Sequence, residues 1–255
     1  MSKPKLYVFA ISHYCEKARW TLDYLGIEHE VVYLAPGQHA KQSAQLGLKR
    51  SALPILSADG EIIQGSSAII DWAETRSTNG CHLAPNKDND HCQEIEQRLD
   101  SVAGVHVRRY FYSEAMVDQP QMVRPIFTGN LPWLQKLFVS LGWGKIRKIM
   151  IQKMDLGPEQ RVESRDIVGA ELAWLDGLLA DGRGYLVGDE FSRADISAAS
   201  LLSPLVSPPE HPVYAGLATP PIFAGEVADW DQRLSLQWVR RMYQEHRAQA
   251  QFSNQ

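Results

Sequence analysis

The chain has 255 residues, of which 44% are hydrophobic, and a formal net charge of -4 at pH 7. This length and apolar content fit one large globular domain or two modest ones, and they exclude a disordered or fibrous chain. Lysines and arginines are spread along the whole sequence, so no basic patch indicates a nucleic-acid partner.

Cysteine usage and apolar runs bear on the compartment. The three cysteines, Cys15, Cys81 and Cys92, are an odd number in a long chain, which argues against a disulfide framework and for a reducing environment. The apolar run over 6–11 is too short for the core of a secretory signal, and no run reaches transmembrane length. We therefore expect a cytoplasmic protein without a membrane span.

The first segment is predicted to run from a strand into a helix through a polar corner. Apolar residues over 6–10 predict the strand, and Ala18, Leu22 and Leu25 at helical spacing predict the helix. Ser12 lies at the corner, where a serine can cap the helix by accepting from the amides of its first turn. The same corner offers free N–H groups and the positive end of the helix dipole to an anion such as a thiolate.

The next elements complete an open α/β domain. Gly26 is predicted to end the first helix, and 28–34 to form a second, parallel strand. After a loop and short helix over 35–50, two short apolar runs flank Asp59-Gly60, a dipeptide typical of a β-hairpin. A further helix is predicted to begin at Ser66. Strand-helix-strand, helix, strand-strand-helix is the order of a thioredoxin-like domain.

Polar residues with glycine and proline predict a linker over 78–88, between a thioredoxin-like domain at 1–77 and a second domain at 89–255. Every strongly patterned segment of the second domain has helical periodicity. The segments are 89–116, 164–179 and 227–243. An all-α bundle is therefore expected after the α/β domain.

Two Cys-His pairs lie at or beside the predicted linker, Cys81-His82 and His91-Cys92. Adjacent ligands of this kind do not match the spacing of structural zinc sites, so no metal site is predicted. A zinc site formed by both pairs is the less favoured alternative.

Two stretches of the second domain have an unusual composition. Residues 131–154 carry apolar side chains with basic ones between them, and the pattern is predicted to break at Gly142-Trp143-Gly144. Such a segment can lie on a membrane surface, but packed helices with solvated lysines look the same, and the second interpretation is favoured. The six prolines between Ser203 and Pro221 exclude a helix through that stretch and predict an ordered crossover, which could lie over the cleft.

The corner at Ser12 resembles a known active-site segment. Ser12-His13-Tyr14-Cys15 has the form of the thioredoxin and glutaredoxin Cys-x-x-Cys site with serine in place of the first, nucleophilic cysteine. Followed by Glu16-Lys17-Ala18-Arg19, it resembles the active-site segment of cytosolic-type glutathione S-transferases of the serine or cysteine type.

A second similarity to this family lies in the helical domain. The run 187–196 combines Ser192 as an N-cap, Asp195 as the reciprocal acid, and a staple between Phe191 and Ile196. It resembles the capping box that the family places on a buried helix of its second domain. We expect its role to be structural.

The resemblance implies a reaction. In this family the hydroxyl of Ser12 would donate to the sulfur of glutathione and hold it as a thiolate, with His13 and Tyr14 as alternative donors. The thiolate would attack a small hydrophobic electrophile bound between Ser12 and the second domain, where Arg109, Tyr110, Phe111 and Tyr112 are available. The sequence does not show which of these four face the cleft. The candidate pocket residues are His13, Tyr14, Arg109 and Tyr110. The resemblance also implies a homodimer, with glutathione as co-substrate and no metal.

The resemblance further implies contacts to the rest of glutathione. Pro54 would be cis and turn the backbone of Leu53 toward the cysteinyl part, and Ser66 would hold the γ-glutamyl carboxylate. The acid that usually precedes this serine is replaced by Gly65. Gln64 could accept a hydrogen bond from the ligand's amine but supplies no charge, so we expect weaker binding or an acid from the partner subunit.

Two alternatives remain. A non-catalytic transferase-like protein for binding or assembly is favoured by Gly65 and opposed by the intact Ser12 corner and Pro54. A thiol-disulfide oxidoreductase is less favoured because it needs a thiolate where Ser12 stands.

Overall fold

The computed structural model describes residues 3–84, 88–129, 131–214 and 219–247. Within them, a small sheet with three helices comes first. Its elements are β1 (Lys5–Val8), α1 (His13–Tyr24), β2 (Glu30–Tyr33), α2 (Gln38–Gln45), β3 (Ile55–Ala58), β4 (Glu61–Gln64) and α3 (Ser66–Glu74). This is the predicted order of a thioredoxin-like domain.

The remaining elements are helical. They are α4 (Asn89–Arg98), α5 (Gly104–Val117), α6 (Pro120–Thr128), α7 (Trp133–Met154), α8 (Pro158–Leu179), α9 (Arg193–Val206), α10 (Pro221–Ala228) and α11 (Leu234–Met242). A π-helical turn, Leu99–Ala103, joins α4 to α5, and another, Tyr243–Arg247, follows α11. The all-α second domain is thereby confirmed.

The sheet has the strand order β2-β1-β3-β4. β1 is parallel to β2 and antiparallel to β3, and β3 pairs with β4 in a hairpin. The hairpin turns at Asp59 and Gly60, which have φ values of 50° and 85°. Positive φ at both turn positions suits the Asp-Gly pair, since glycine adopts it freely and aspartate tolerates it.

Helix α1 links the two parts of the molecule. Trp20, Leu22 and Leu25 are fully buried in a core that continues from the sheet into the second domain. α1 packs against α3 within its own domain and against α9 of the helical domain. A ligand at the N-terminus of α1 therefore lies where the two domains meet.

The predicted break in residues 131–154 is wrong, because α7 runs unbroken through Gly142 and Gly144. An interior glycine costs a helix only about 1 kcal/mol relative to alanine. Packing of Trp143 and Ile146 against neighbouring core clusters is enough to override that preference.

The prediction that the prolines of 203–221 exclude a helix is wrong for the first of them, since Pro204 lies inside α9. Proline leaves the carbonyl four residues before it without its helical donor. Here the hydroxyl of Ser203 donates to the carbonyl of Ser200 at 2.8 Å and replaces that donor. Beyond Val206, the described residues of the stretch form no helix before Pro221, and residues 215–218 lie outside the described residues.

The helix predicted over 227–243 is two helices, α10 and α11, joined by a turn around Trp230. Asp176 of α8 accepts from the backbone N–H of Ser235 at 2.8 Å and from Arg233 at 2.9 Å. The carboxylate thus satisfies a free amide in the first turn of α11 from another element. Local periodicity could not reveal a helix start that is capped from a distance.

The capping box of α9 is confirmed. The Asp195 carboxylate accepts from the N–H of Ser192 at 2.8 Å and from the N–H of Leu186 at 2.7 Å. Burial raises the pKa of this acid to about 6, although the hydrogen bonds from Ser192 and Leu186 work in the opposite direction. The role of Asp195 is to hold the start of a buried helix.

The linker predicted over 78–88 follows α3, and its residues 85–87 lie outside the described residues. Among the residues that are described, no helix is long and apolar enough to cross a membrane. In the same part of the chain, no group of three or more His, Cys, Asp or Glu residues is placed to hold a metal ion.

Candidate functional site

Ser12 occupies the corner that the sequence predicts. Its backbone is extended, with φ of -76° and ψ of 116°, and its Oγ accepts from the N–H of Cys15 at 3.4 Å. The side chain is half-buried and lines a cavity of about 440 Å³ between the two domains. A ligand in this cavity meets both the hydroxyl and the positive end of α1.

The cavity has two unlike walls. The thioredoxin-like wall carries Ser12, the loop before α2 and the loop before β3, and the helical wall comes from α5, α6 and α7. The side chains of the helical wall are Arg108, Tyr112, Phe127, Ile146, Ile149, Met150, Lys153 and Met154. The thioredoxin-like wall mixes polar side chains such as Ser12 and Ser51 with apolar ones such as Phe9, and the helical wall is mainly apolar.

His13 and Tyr14 tie α1 to the helical domain. The Nε2 of His13 lies 3.0 Å from the carbonyl of Gly104, and the hydroxyl of Tyr14 donates to the carbonyl of Asp100 at 2.6 Å. Burial, assisted by the charge of Arg108, lowers the pKa of His13 to about 3, so its ring is neutral. Both side chains therefore already contact backbone carbonyls of the helical domain.

The loop before β3 presents Leu53 to the cavity. The peptide bond between Leu53 and Pro54 is cis, as the resemblance implies. The amide of Gln64 donates to the carbonyls of Arg50 and Ala52, both at 2.8 Å. Gln64 thus holds the loop that carries Leu53, a role that the sequence did not suggest.

The start of α3 is built around glycine. Gly65, not Ser66, is the N-cap, and Ser66 is the buried first residue of the helix. Gly65 has φ of 102°, where a side chain would strain the backbone, so the replaced acid could not be restored without a change of conformation. A carboxylate does lie nearby, since Asp100 accepts from the hydroxyl of Ser67 at 2.7 Å and pairs with buried Lys17 at 2.8 Å.

The structure does not bring Arg109 and Tyr110 to the cavity. Arg109 pairs with Asp155 at 2.5 Å and with Glu163 at 2.7 Å, while the buried hydroxyl of Tyr110 donates to Glu226 at 2.7 Å. Successive residues of a helix point about 100° apart, so residues adjacent to Arg109 and Tyr110 point in other directions.

Arg108 and Tyr112 are the α5 residues that line the cavity. They continue the four-residue spacing of Gly104, which contacts His13. The sequence shows this four-residue spacing, but it does not show that this face of α5 points into the cavity. The contribution of α7 was also missed, although Ile146, Met150 and Met154 recur at helical spacing.

Two family models match the chain. The glutathione S-transferase N-terminal domain matches residues 6–79, and the glutathione S-transferase C-terminal domain matches residues 134–212, together more than half of the chain. The chain belongs to the glutathione S-transferase family. No curated protein matches it in the sequence search.

Solved structures share the fold over 93% or more of this chain. A beta-etherase from Sphingobium sp. strain SYK-6 is 21% identical, with 93% of this chain and 98% of that chain covered and a TM-score of 0.58. A glutathione S-transferase of Ceriporiopsis subvermispora in complex with glutathione is 15% identical, with 100% and 98% covered and a TM-score of 0.62. A glutathione transferase from Phanerochaete chrysosporium is 15% identical, with 96% and 97% covered and a TM-score of 0.63.

The cysteine of this transferase's corner is not reactive. Cys15 is 3% exposed, and burial raises the pKa of its thiol to about 11. A thiol with that pKa is almost wholly protonated near neutral pH and is a poor nucleophile. Cys15 therefore acts as a small core residue.

Proposed function

We propose that this glutathione S-transferase binds glutathione in the interdomain cavity, holds its sulfur as a thiolate at Ser12, and directs it at a small hydrophobic electrophile. The observation that carries the proposal is the position of Ser12. It lies at the N-terminus of α1, in a cavity whose opposite wall is mainly apolar.

The energy that this activation requires is modest. A free thiol has a pKa of about 8.5, and lowering it by two units needs roughly 2.7 kcal/mol of preference for the anion. One hydroxyl donor supplies about 1.5–3 kcal/mol to a charged acceptor. The end of the helix dipole adds about 0.3–1 kcal/mol.

The rest of glutathione extends along the thioredoxin-like wall in this proposal. The backbone of Leu53 pairs with the cysteinyl part, and Ser66 with the free amides at the start of α3 holds the γ-glutamyl carboxylate. The fold shared with the Ceriporiopsis subvermispora enzyme, solved in complex with glutathione, supports this placement. Gly65 in place of the acid makes binding weaker than in relatives that have one.

Gly65 in place of the acid is the feature that favours the non-catalytic alternative, and the rest of the site opposes both alternatives. An oxidoreductase would need a reactive thiolate, and Cys15 is a buried thiol. A non-catalytic protein for binding or assembly is opposed by the intact Ser12 corner and by the cis peptide bond before Pro54.

We also propose a cytoplasmic homodimer, as the family resemblance implies. Several large apolar side chains of α7 are exposed and offer a surface that association would cover. They are Trp133, Leu134, Leu137, Phe138 and Leu141. Sedimentation equilibrium at micromolar concentration is expected to give twice the chain mass of 28.7 kDa. A monomer under these conditions would contradict this part of the proposal.

The deciding experiment is titration calorimetry of reduced glutathione into the wild type and into Ser12→Ala, with ultraviolet absorbance to follow the bound thiolate. We expect binding in both proteins but a thiolate signal near neutral pH only in the wild type. Transfer activity on a neutral aromatic electrophile should fall by about 100-fold in Ser12→Ala.

The matched control is Ser101→Ala, which removes an exposed hydroxyl that donates to the carbonyl of Gln97, one turn earlier. It should leave both signals unchanged. The proposal fails if millimolar glutathione does not bind, or if the thiolate signal survives in Ser12→Ala.

A further inference from the structure

The charged side chains among the described residues that line the cavity are all basic. Among the described residues that line it there is no aspartate or glutamate, whereas Arg108 and Lys153 are both present. The histidines do not add to this charge, because burial lowers the pKa values of His13 and His39. A mainly apolar cavity with two cations and no acid favours an anionic ligand.

Arg108 stands out from the other arginines around it. Its neighbour Arg109 pairs with two carboxylates, but among the described residues no carboxylate pairs with Arg108. Its Nε is buried and has no hydrogen-bond partner in the described part of the chain. A buried donor without a partner costs free energy, which an incoming anion would recover.

The guanidinium of Arg108 lies near the catalytic corner. Burial has the largest effect on the pKa values of His13 and Tyr14, and the charge of Arg108 is the next largest influence on both. Arg108 also influences the pKa of Tyr112, on the same helix. An anion bound to Arg108 would thus lie on the helical side of Ser12.

The γ-glutamyl carboxylate of glutathione has another place in the proposed mode of binding. The γ-glutamyl end lies at Ser66 and the peptide runs along Leu53, both on the opposite wall. Lys153 and His39 lie close together, since the charge of Lys153 contributes to the lowered pKa of His39. Arg108 is on α5 beside Tyr112, in the half of the cavity left for the electrophile.

We propose that Arg108 is an anion subsite in the electrophile half of the cavity, and that the preferred electrophile carries a carboxylate on an apolar, aromatic body. The carboxylate pairs with the guanidinium, and the body packs against Tyr112, Phe127 and Met150. The subsite rests on the proposed function only in taking its ligand to be the electrophile. Arg108 binds the anion whether or not a reaction follows.

A suitable reaction is aromatic substitution on a chloronitrobenzoate that has its nitro group ortho to chlorine. The glutathione thiolate attacks the carbon that bears chlorine, a carbon–sulfur bond forms, and the carbon–chlorine electron pair leaves as chloride. The carboxylate is unchanged, and no oxidant or reductant takes part.

The first test is equilibrium binding of two unreactive probes, meta-nitrobenzoate and its methyl ester, to the wild type, Arg108→Met, Arg108→Lys and Arg109→Met. We expect the wild type to bind the anion more tightly than the ester. Arg108→Met should weaken anion binding by about 10- to 100-fold and change ester binding little, because a charged hydrogen-bonded pair is lost. Arg108→Lys keeps the charge and should lie between them.

Arg109→Met is the matched control. It removes the same charge from the next residue, whose side chain pairs with Asp155 and Glu163. It should bind both probes like the wild type. Equal binding of anion and ester by the wild type, or equal losses for both probes in Arg108→Met, overturns the subsite.

The same variants are then compared in the reaction of glutathione with the chloronitrobenzoate and its methyl ester, each rate taken relative to the uncatalysed one. Arg108→Met should lower kcat/KM for the anion by the same factor as binding. If glutathione does not bind but the anion binds through Arg108, the proposed function falls and the subsite stands. If glutathione binds and the ester reacts without an Arg108-dependent preference for the anion, the subsite falls alone.

Discussion

The four residues of the corner have separate tasks. Ser12 faces the cavity, His13 and Tyr14 bind backbone carbonyls of the helical domain, and Cys15 fills the core. The resemblance to a Cys-x-x-Cys site left three donors open for the thiolate. Since His13 and Tyr14 already bind backbone carbonyls, the proposed function assigns this role to Ser12.

Burial of His13 predicts a pH dependence of stability. The pKa is about 3 in the folded protein and 6.5 as the unperturbed value. Between these values the unfolded state binds one more proton, so the free energy of unfolding falls as pH is lowered from 6.5. In His13→Gln this fall should be shallower, by up to about 1.4 kcal/mol per pH unit. Urea denaturation between pH 7 and pH 5 measures the slope.

Other groups set the background for this experiment. Burial also lowers the pKa values of His29 and His211, so some decline remains in the variant. Asp195 acts in the opposite direction, because its raised pKa of about 6 makes folding less favourable as pH rises from 3.8. Parallel slopes for the wild type and His13→Gln would show that His13 is not the buried neutral group described.

At the scale of elements, α7 has two working faces. Its inner face brings Ile146 and Met150 to the cavity, while Trp133, Phe138 and Leu141 are between 70% and 78% exposed. The apolar residues therefore serve two surfaces, which explains why they form no single stripe. The interpretation of residues 131–154 as a packed helix with solvated basic side chains therefore applies only to the inner face of α7.

A bulkier side chain on the cavity face of α7 should affect the electrophile and not glutathione. Met150→Trp adds bulk to the apolar wall, and we expect kcat/KM for a neutral aromatic electrophile to fall by about 10-fold or more. Calorimetry should give a glutathione affinity close to that of the wild type, because Met150 belongs to the helical wall and not to the wall that carries Leu53 and Ser12. The control Leu141→Trp adds the same bulk on the exposed face and should change neither value. A matching loss of glutathione affinity in Met150→Trp would contradict the division of the cavity into two walls.

At the scale of the molecule, buried ion pairs hold α1 against the helical domain. Lys17 pairs with Glu96 at 2.7 Å and Asp100 at 2.8 Å. Arg247, beyond α11, pairs with Glu16 and with Asp23, both at 2.7 Å. The helix that begins at the Ser12 corner is thus held by ion pairs with charged side chains of the second domain.

Loss of one partner should be costly. Arg247→Met leaves Glu16 buried without its cation, and we expect the free energy of unfolding to fall by about 3–5 kcal/mol. The control Arg240→Met breaks an exposed pair with Asp231 and should cost about 0–1 kcal/mol. Urea denaturation of both variants gives the comparison. Similar small losses in the two proteins would mean that Arg247 is not part of the core.

Local chemistry made much of this protein predictable from its sequence. The hairpin at Asp59-Gly60, the end of α1 at Gly26, the corner at Ser12 and the capping box of Asp195 each depend on residues a few positions apart. Such interactions are the same wherever the segment lies in the molecule. The order of the elements and the family resemblance follow from them.

The tertiary structure alone decided what faces what. A helix turns by about 100° per residue, so only packing determines that Arg108 and Tyr112 face the cavity while Arg109 and Tyr110 do not. Packing likewise carries α7 through its glycines, and Asp176 of another helix caps α11. These outcomes depend on partners far away in sequence, which no local pattern records.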